Sequence, residues 1–314
     1  MGNEELKEIR AGYVDTVTAL AEKNKNIVVL EADLMSCTNT GNFKNTYPNQ
    51  FINAGIAEAN MVGVAAGLSA VGKIPFAASF GCFSSRRVHD QFFISANYAR
   101  LNVKLIGTDP GVTAAMNGGT HMPFEDIALM QVIPHLTVVE PSDYYSCAAL
   151  VKEAAELYGC VYFRFPRKPV PVIYGENEKF KIGKSKIIKE GKDVCFVCLG
   201  NLLLTEALKA RETLAAEGID AGVMDALSVK PLDKETILDL AGKVKALVTA
   251  ENAQLDGGFG STVASLLAEN GFKCRFGRIG IRDEFGEVGS QDYLAKRFGL
   301  TAEKLAEKAR ELLK

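Results

Sequence analysis

The sequence predicts two α/β domains, each a mostly parallel sheet with helices on both faces. Three observations predict it. Short apolar runs of strand length alternate with longer helical segments along the chain, the pattern of parallel strands joined by helical crossovers. The composition changes between residues 167 and 191, where Pro169, Pro171, Gly175, Gly183 and Gly191 punctuate a charged stretch. A length of 314 residues with 47% apolar content is enough for two ordinary cores. The expected limits are a first domain over 1–172, a linker over 173–191 and a second domain over 192–314.

Taken in order, residues 5–23 read as an amphipathic helix. Residues 26–30, Asn-Ile-Val-Val-Leu, read as a buried strand running into Glu31-Ala32-Asp33. A loop rich in Ser, Thr, Asn and Gly covers 36–49. Phe51-Ile52-Asn53 then precedes a small-residue helix that opens near Ile56. A strand is expected over 74–79, a helix over 85–99, a strand over 103–107 and a Gly-rich loop over 108–123. A helix over 124–132 and a strand over 137–139 follow. Pro141-Ser142-Asp143 offers a cap for a helix to about 158, and 161–165 reads as a strand. In the second domain, strands are expected over 193–199, 220–225, 246–250 and 273–279, and a charged amphipathic helix over 302–313.

The small-residue helix carries the sharpest chemical signal. From Ile56 to Leu68 the one charged side chain is Glu58. A helix apolar on all sides is usually buried, and a carboxylate there is either paired or has its pKa raised. The alternative is a first-turn glutamate facing the helix dipole or water.

Composition excludes several function classes. A formal net charge of −2 leaves no electrostatic footprint for nucleic acid or an acidic membrane. The first residues hold no apolar signal region, and no apolar run is long enough to span a bilayer, so a cytoplasmic protein is expected. The 7 cysteines are scattered through apolar segments, which reads as reduced thiols rather than a disulfide framework. Cys195 and Cys198 imitate a metal or redox pair, but residues three apart on a strand point to opposite faces. His89, His121 and His135 have no metal-ligand spacing, and no metal site is expected on this chain. Gly257-Gly258-Phe259-Gly260-Ser261 sits where a strand loop enters a helix; close packing explains such glycines more often than a phosphate cradle.

Several landmarks fall in one order. Glu31-Ala-Asp-Leu34 is followed by Asn53-Ala-Gly-Ile-Ala-Glu58 and by Phe80-Gly-Cys-Phe83. Then come Gly118-Gly-Thr-His121-Met-Pro-Phe-Glu125, Ile133-Pro-His-Leu-Thr-Val-Val-Glu-Pro-Ser-Asp143, Glu251-Asn252 and Phe285-Gly-Glu-Val-Gly289. Over nearly the whole chain this resembles the C-terminal half of a transketolase. It looks most like the separate smaller subunit found where transketolase is split into two chains. The resemblance implies a pyrimidine-binding domain followed by the transketolase C-terminal domain. It implies an enzyme that uses thiamine diphosphate with Mg2+ to move a two-carbon ketol unit from a ketose to an aldose, both sugar phosphates or related anionic sugars.

The resemblance also implies roles for residues. Glu58 would hydrogen-bond the cofactor pyrimidine and promote its imino form. Phe83 and Phe80 would hold the ring, Leu34 would prop the bent cofactor, and Asp33 would serve the cofactor side or an interface. Arg86 stands where the family has a tyrosine. His121 would face the reacting carbonyl. Arg10 and Arg164 match the family's two phosphate-binding arginines, while Cys37 and Asp109 replace its phosphate-site serine and histidine. Asn117 replaces an aspartate that reads a sugar hydroxyl. Asp109 would disfavour a phosphate, so a sulfonated, shorter or unphosphorylated ketose fits as well. The Gly-Asp-Gly motif that anchors the metal and diphosphate in thiamine enzymes does not occur. An N-terminal, diphosphate-binding partner subunit is therefore expected, with self-association of this chain giving a heterotetramer. Rival readings are the β-subunit of a 2-oxo-acid dehydrogenase, a deoxyxylulose-phosphate synthase-like enzyme, and a non-catalytic partner subunit.

Overall fold

The structure is a computed structural model that describes residues 5–314; what was expected of residues 1–4 lies outside it. The chain forms two compact units. The first runs to Pro110 and resumes over Leu129–Ile182. The second comprises Gly111–Ala128 and Gly183–Lys314.

In the first unit, a short strand β1 (Leu6–Glu8) leads into helix α1 (Ile9–Lys23). Strands β2 (Ile27–Glu31), β3 (Phe51–Asn53), β4 (Ile74–Phe80), β5 (Lys104–Thr108), β6 (Thr137–Val139) and β7 (Val161–Phe165) form a parallel array in the order β6-β7-β5-β4-β2-β3. Every residue of β2, β5 and β7 is buried, as expected for parallel strands covered on both faces. Helix α2 (Glu58–Ala70) follows β3, and α3 (Tyr144–Glu156) follows β6. Asp143 caps α3: its carboxylate accepts from the Ser146 N–H at 2.8 Å, and the Ser146 hydroxyl accepts from the Asp143 N–H at 2.9 Å. Helix α1 lies close on α3 because position 12 is glycine; a Cβ there would sit 2.5 Å from the Tyr144 carbonyl.

The second unit holds a five-stranded sheet. Its strands are β9 (Lys186–Lys189), β10 (Val194–Cys198), β11 (Ala221–Asp225), β12 (Ala246–Gln254) and β13 (Arg275–Ile281), in the order β13-β12-β10-β11-β9. All neighbours are parallel except β9, which pairs antiparallel with β11. Cys195 and Cys198 lie in β10, and burial pushes both thiols upward.

Four departures from expectation have physical causes. Residues 6–8 are strand rather than helix because β1 pairs antiparallel with strand β8 (Pro169–Pro171). The span 85–99 is not one α-helix. Two wide π-helical turns, Phe83–Arg87 and Phe92–Tyr98, flank a single α turn, a local widening often found at functional sites. Helix α2 is not buried on all sides; Ala59, Asn60, Gly67 and Ala70 are exposed. Finally, Gly111–Ala128 packs with the second unit, although it precedes the linker. The Val112 N–H donates to the Asn252 side chain at 3.0 Å, and the Gln254 N–H donates to the Phe124 carbonyl at 2.6 Å.

Candidate active site

The C-terminal ends of the parallel strands in the first unit carry most of the expected site residues, the usual edge for ligands in open α/β sheets. Parallel pairing sets Glu31 of β2 beside Asn53 of β3. The Asn53 side-chain carbonyl accepts from the Asp33 and Gly55 N–H groups at 3.0 Å each, which shapes the entry to α2. Asp33 itself is exposed, in left-handed backbone at φ 64°, and Leu34 is half-buried. Glu58 then occupies the first helical position of α2, where the helix dipole favours an anion, and is 2% exposed.

Of the two states open to a buried carboxylate, this one is paired. Nη1 of Arg87 donates to both Glu58 oxygens, at 2.9 and 2.8 Å. The same guanidinium lies 3.9 Å from the centre of the Phe83 ring. Phe80 stands next to Phe83, with ring centres 6.1 Å apart. A planar, delocalised group bearing N–H donors thus already rests on Phe83 while bonded to Glu58. An aromatic face beside a buried carboxyl group suits an aminopyrimidine, so these residues fit that ring. Arg87 was missed by sequence reasoning, which stopped at its exposed neighbour Arg86; the adjacent Arg-Arg pair after Phe83 was the available signal.

A second cluster gathers at the same sheet edge. Arg10, at the start of α1, donates through Nη1 to the Cys37 carbonyl at 2.6 Å and is held by Glu8 at 2.8 Å. Arg167, just past β7, pairs through Nε with Asp109 at 2.6 Å and places Nη1 3.2 Å from the Cys37 sulfur. Its guanidinium is 5.1 Å from the centre of the Phe80 ring, which joins the cluster to the Phe80–Phe83 wall. Asp109 is 1% exposed, and burial pushes its carboxyl up to about 6 against the pull of Arg167.

Arg164 does not join this cluster. It is fully buried inside β7, where its guanidinium is bonded to the buried carboxylate of Glu140. Arg167, three residues later and half-exposed, stands with Arg10 instead.

In the second unit, His121 ends a short turn, Gly119–His121, with Nδ1 2.9 Å from the Thr120 hydroxyl. Gly118 at φ 81° and Gly119 shape that turn; a Cβ on Gly119 would fall 2.0 Å from the Gly286 carbonyl. Asn117 is exposed beside it. The glycine run after β12 is already served by a carboxylate of this chain. The buried Glu251 accepts from the Phe259 and Gly260 N–H groups at 2.7 Å each, so the helix N-terminus at Phe259–Glu269 is capped internally. Among the described residues, no three His, Cys, Asp or Glu side chains are grouped to hold a metal ion.

The family profile for the transketolase pyrimidine binding domain matches residues 7–172, and that for the transketolase C-terminal domain matches residues 183–305. The chain belongs to the transketolase family. A 6-deoxy-6-sulfo-D-fructose transketolase subunit, SqwH, from Clostridium sp. (strain MSTE9) is 47% identical over 304 residues, covering 97% of this chain and 94% of its own. A transketolase C-terminal section from Methanocaldococcus jannaschii is 41% identical over 310 residues, covering 98% and 97%. A solved structure described as a split gene transketolase, inactive beta4 tetramer, is 40% identical with a TM-score of 0.89 and covers 98% of each chain. This chain is thus a transketolase subunit with the two-domain α/β fold of its family. The dehydrogenase, synthase and non-catalytic readings are not favoured by these relatives. No helix among the described residues is long and apolar enough to cross a membrane.

Proposed function

We propose that this transketolase subunit supplies the pyrimidine side and the sugar-anion side of a two-subunit active site. The observation that carries the reading is the buried Glu58 carboxylate beside the Phe83 ring, with a planar N–H donor already bonded to it. When bound, thiamine diphosphate supplies an acidic ring carbon as nucleophile and an electron sink for the two-carbon unit. Glu58 would hold its pyrimidine nitrogen through a hydrogen bond made stronger by burial. Phe83, Phe80 and Leu34 would hold the ring, and Asp33 would complete the cofactor side. His121 is assigned to proton transfer at the substrate carbonyl, with Asn117 toward a sugar hydroxyl. Arg10 and Arg167 would hold the anionic end of the sugar, because a guanidinium donates charge-assisted hydrogen bonds to an oxyanion.

The N-terminal subunit would hold Mg2+ and the diphosphate, and pairing of two such heterodimers would give the heterotetramer. The subunit and split-gene descriptions of the relatives support this division. The donor is an anionic ketose with a phosphate or sulfonate terminus, and the relative named for a sulfo-fructose supports the second. Placement in pentose phosphate metabolism would follow only from the first. Seven unbridged cysteines support a reducing, cytoplasmic setting.

Replacement of Glu58 tests the reading. In the reconstituted two-subunit complex, Glu58→Ala lowers ketol transfer by at least about 100-fold, the scale of losing a general acid or base, while the complex stays assembled. Unchanged turnover in an intact complex would sink it.

A further inference from the structure

We propose that Asp109 sets which anionic terminus the sugar carries, selecting a monoanion such as a sulfonate over a dianionic phosphate. The inference rests on the proposed assignment of Arg10 and Arg167 to that terminus. Asp109 follows β5 directly and adopts left-handed backbone at φ 57°. Its Oδ1 accepts the Arg167 N–H at 3.2 Å, and its Oδ2 pairs with Arg167 Nε at 2.6 Å. The other guanidinium, Arg10, is already gripped by Glu8 through Nε at 2.8 Å and Nη2 at 2.9 Å. Each arginine therefore brings its own carboxylate. Lys168 is the remaining cation acting on Asp109.

This arrangement engages Nε of both arginines with carboxylates and removes much of their charge. Nη1 of both arginines converges on Cys37, one donating to its carbonyl and one to its sulfur, so an oxyanion bound there would meet a donor from each. It also meets the fixed negative charge of Asp109, and Coulomb repulsion scales with the charge of the incoming group. A phosphate monoester above its second pKa of about 6 suffers that repulsion twice over. A sulfonate carries one charge and presents the same three acceptor oxygens. Donors without excess positive charge suit it better.

The test compares two donors that differ only at the terminus: a ketohexose 6-phosphate and its 6-deoxy-6-sulfo analogue. Both are assayed at pH 8 with the reconstituted complex of this chain and an N-terminal transketolase subunit. Wild type is expected to favour the sulfonate in kcat/KM. In Asp109→Asn the phosphate donor gains, through KM, and the sulfonate-to-phosphate ratio falls by at least about fivefold. Asparagine tolerates left-handed backbone and keeps an acceptor for the Arg167 N–H, so the loop retains its shape. Asp109→Ser removes the same charge and must move the ratio in the same direction. If Asp109 merely positions Arg167, both donors weaken alike and the ratio holds, which overturns the inference. Arg167→Ala separates the two levels. If it leaves both donors untouched, the anion-site assignment itself fails. If it raises KM for both while the Asp109 variants leave the ratio flat, the selectivity inference alone fails.

Discussion

At the residue scale, the chemistry turns on which charge meets which. Glu58 meets Arg87, and the Arg87 guanidinium rests on the Phe83 ring that is proposed to hold the cofactor. Arg87 is 45% exposed in its side chain, so the pair is partly screened and its contribution is modest. The aminopyrimidine and the guanidinium would compete for one carboxylate and one ring. Arg87→Ala should therefore tighten thiamine diphosphate binding to the assembled complex by about 1 kcal/mol or less, up to roughly fivefold in Kd. Calorimetric titration reads this directly, and weaker binding would show that Arg87 assists the ring rather than competing with it. The arginine assignments teach the same lesson. Arg164 and Arg167 are alike in sequence and differ in burial and partner.

At the element scale, most of the longer strands were legible to within a residue or two, because apolar β-branched runs between polar turns leave few alternatives; the strand expected over 246–250 runs on to Gln254, and the short strands at Leu6–Glu8 and Pro169–Pro171 were missed. Residues 161–165 were read as a strand and are Val161–Phe165. The turn after β2 is held by something periodicity cannot reveal. Glu31 is fully buried, and its Oε1 accepts from the Thr38 and Thr40 hydroxyls at 2.6 and 2.8 Å. Burial nevertheless pushes this carboxyl up from 4.5 to about 7. The folded chain thus keeps a proton there that the unfolded chain releases. The associated stability is fully present below 4.5 and is lost as the pH rises through about 7. Glu31→Gln should remove that loss, on the order of 2–3 kcal/mol between pH 5 and pH 8, as read by urea unfolding at the two values. An equal pH dependence in wild type and variant would assign the slope to other groups. The π-helical turns at Phe83–Arg87 and Phe92–Tyr98 escaped the sequence because an extra residue per turn leaves no distinct periodic mark in so short a span.

At the scale of the whole molecule, the family and the fold were both legible in the sequence, since the motifs fall in one order along nearly the full chain. The proposed division of labour between subunits predicts one titration result. Titrating thiamine diphosphate with Mg2+ into this chain alone should give no tight binding, and adding an N-terminal transketolase subunit should bring binding and ketol transfer together. Tight binding to the chain alone would overturn the two-subunit proposal. The sequence by itself determined the alternation of strands and helices and the family, and named Glu58, Phe80 and Phe83 as candidates, because these depend on local periodicity and on motif order. Only the tertiary structure decided that Glu58 is paired rather than isolated. It likewise placed Arg164 in the core, Arg167 beside Arg10, and Gly111–Ala128 with the second unit. Those outcomes depend on contacts between residues distant in sequence, and on how deeply each charge is withdrawn from water, which no local pattern records.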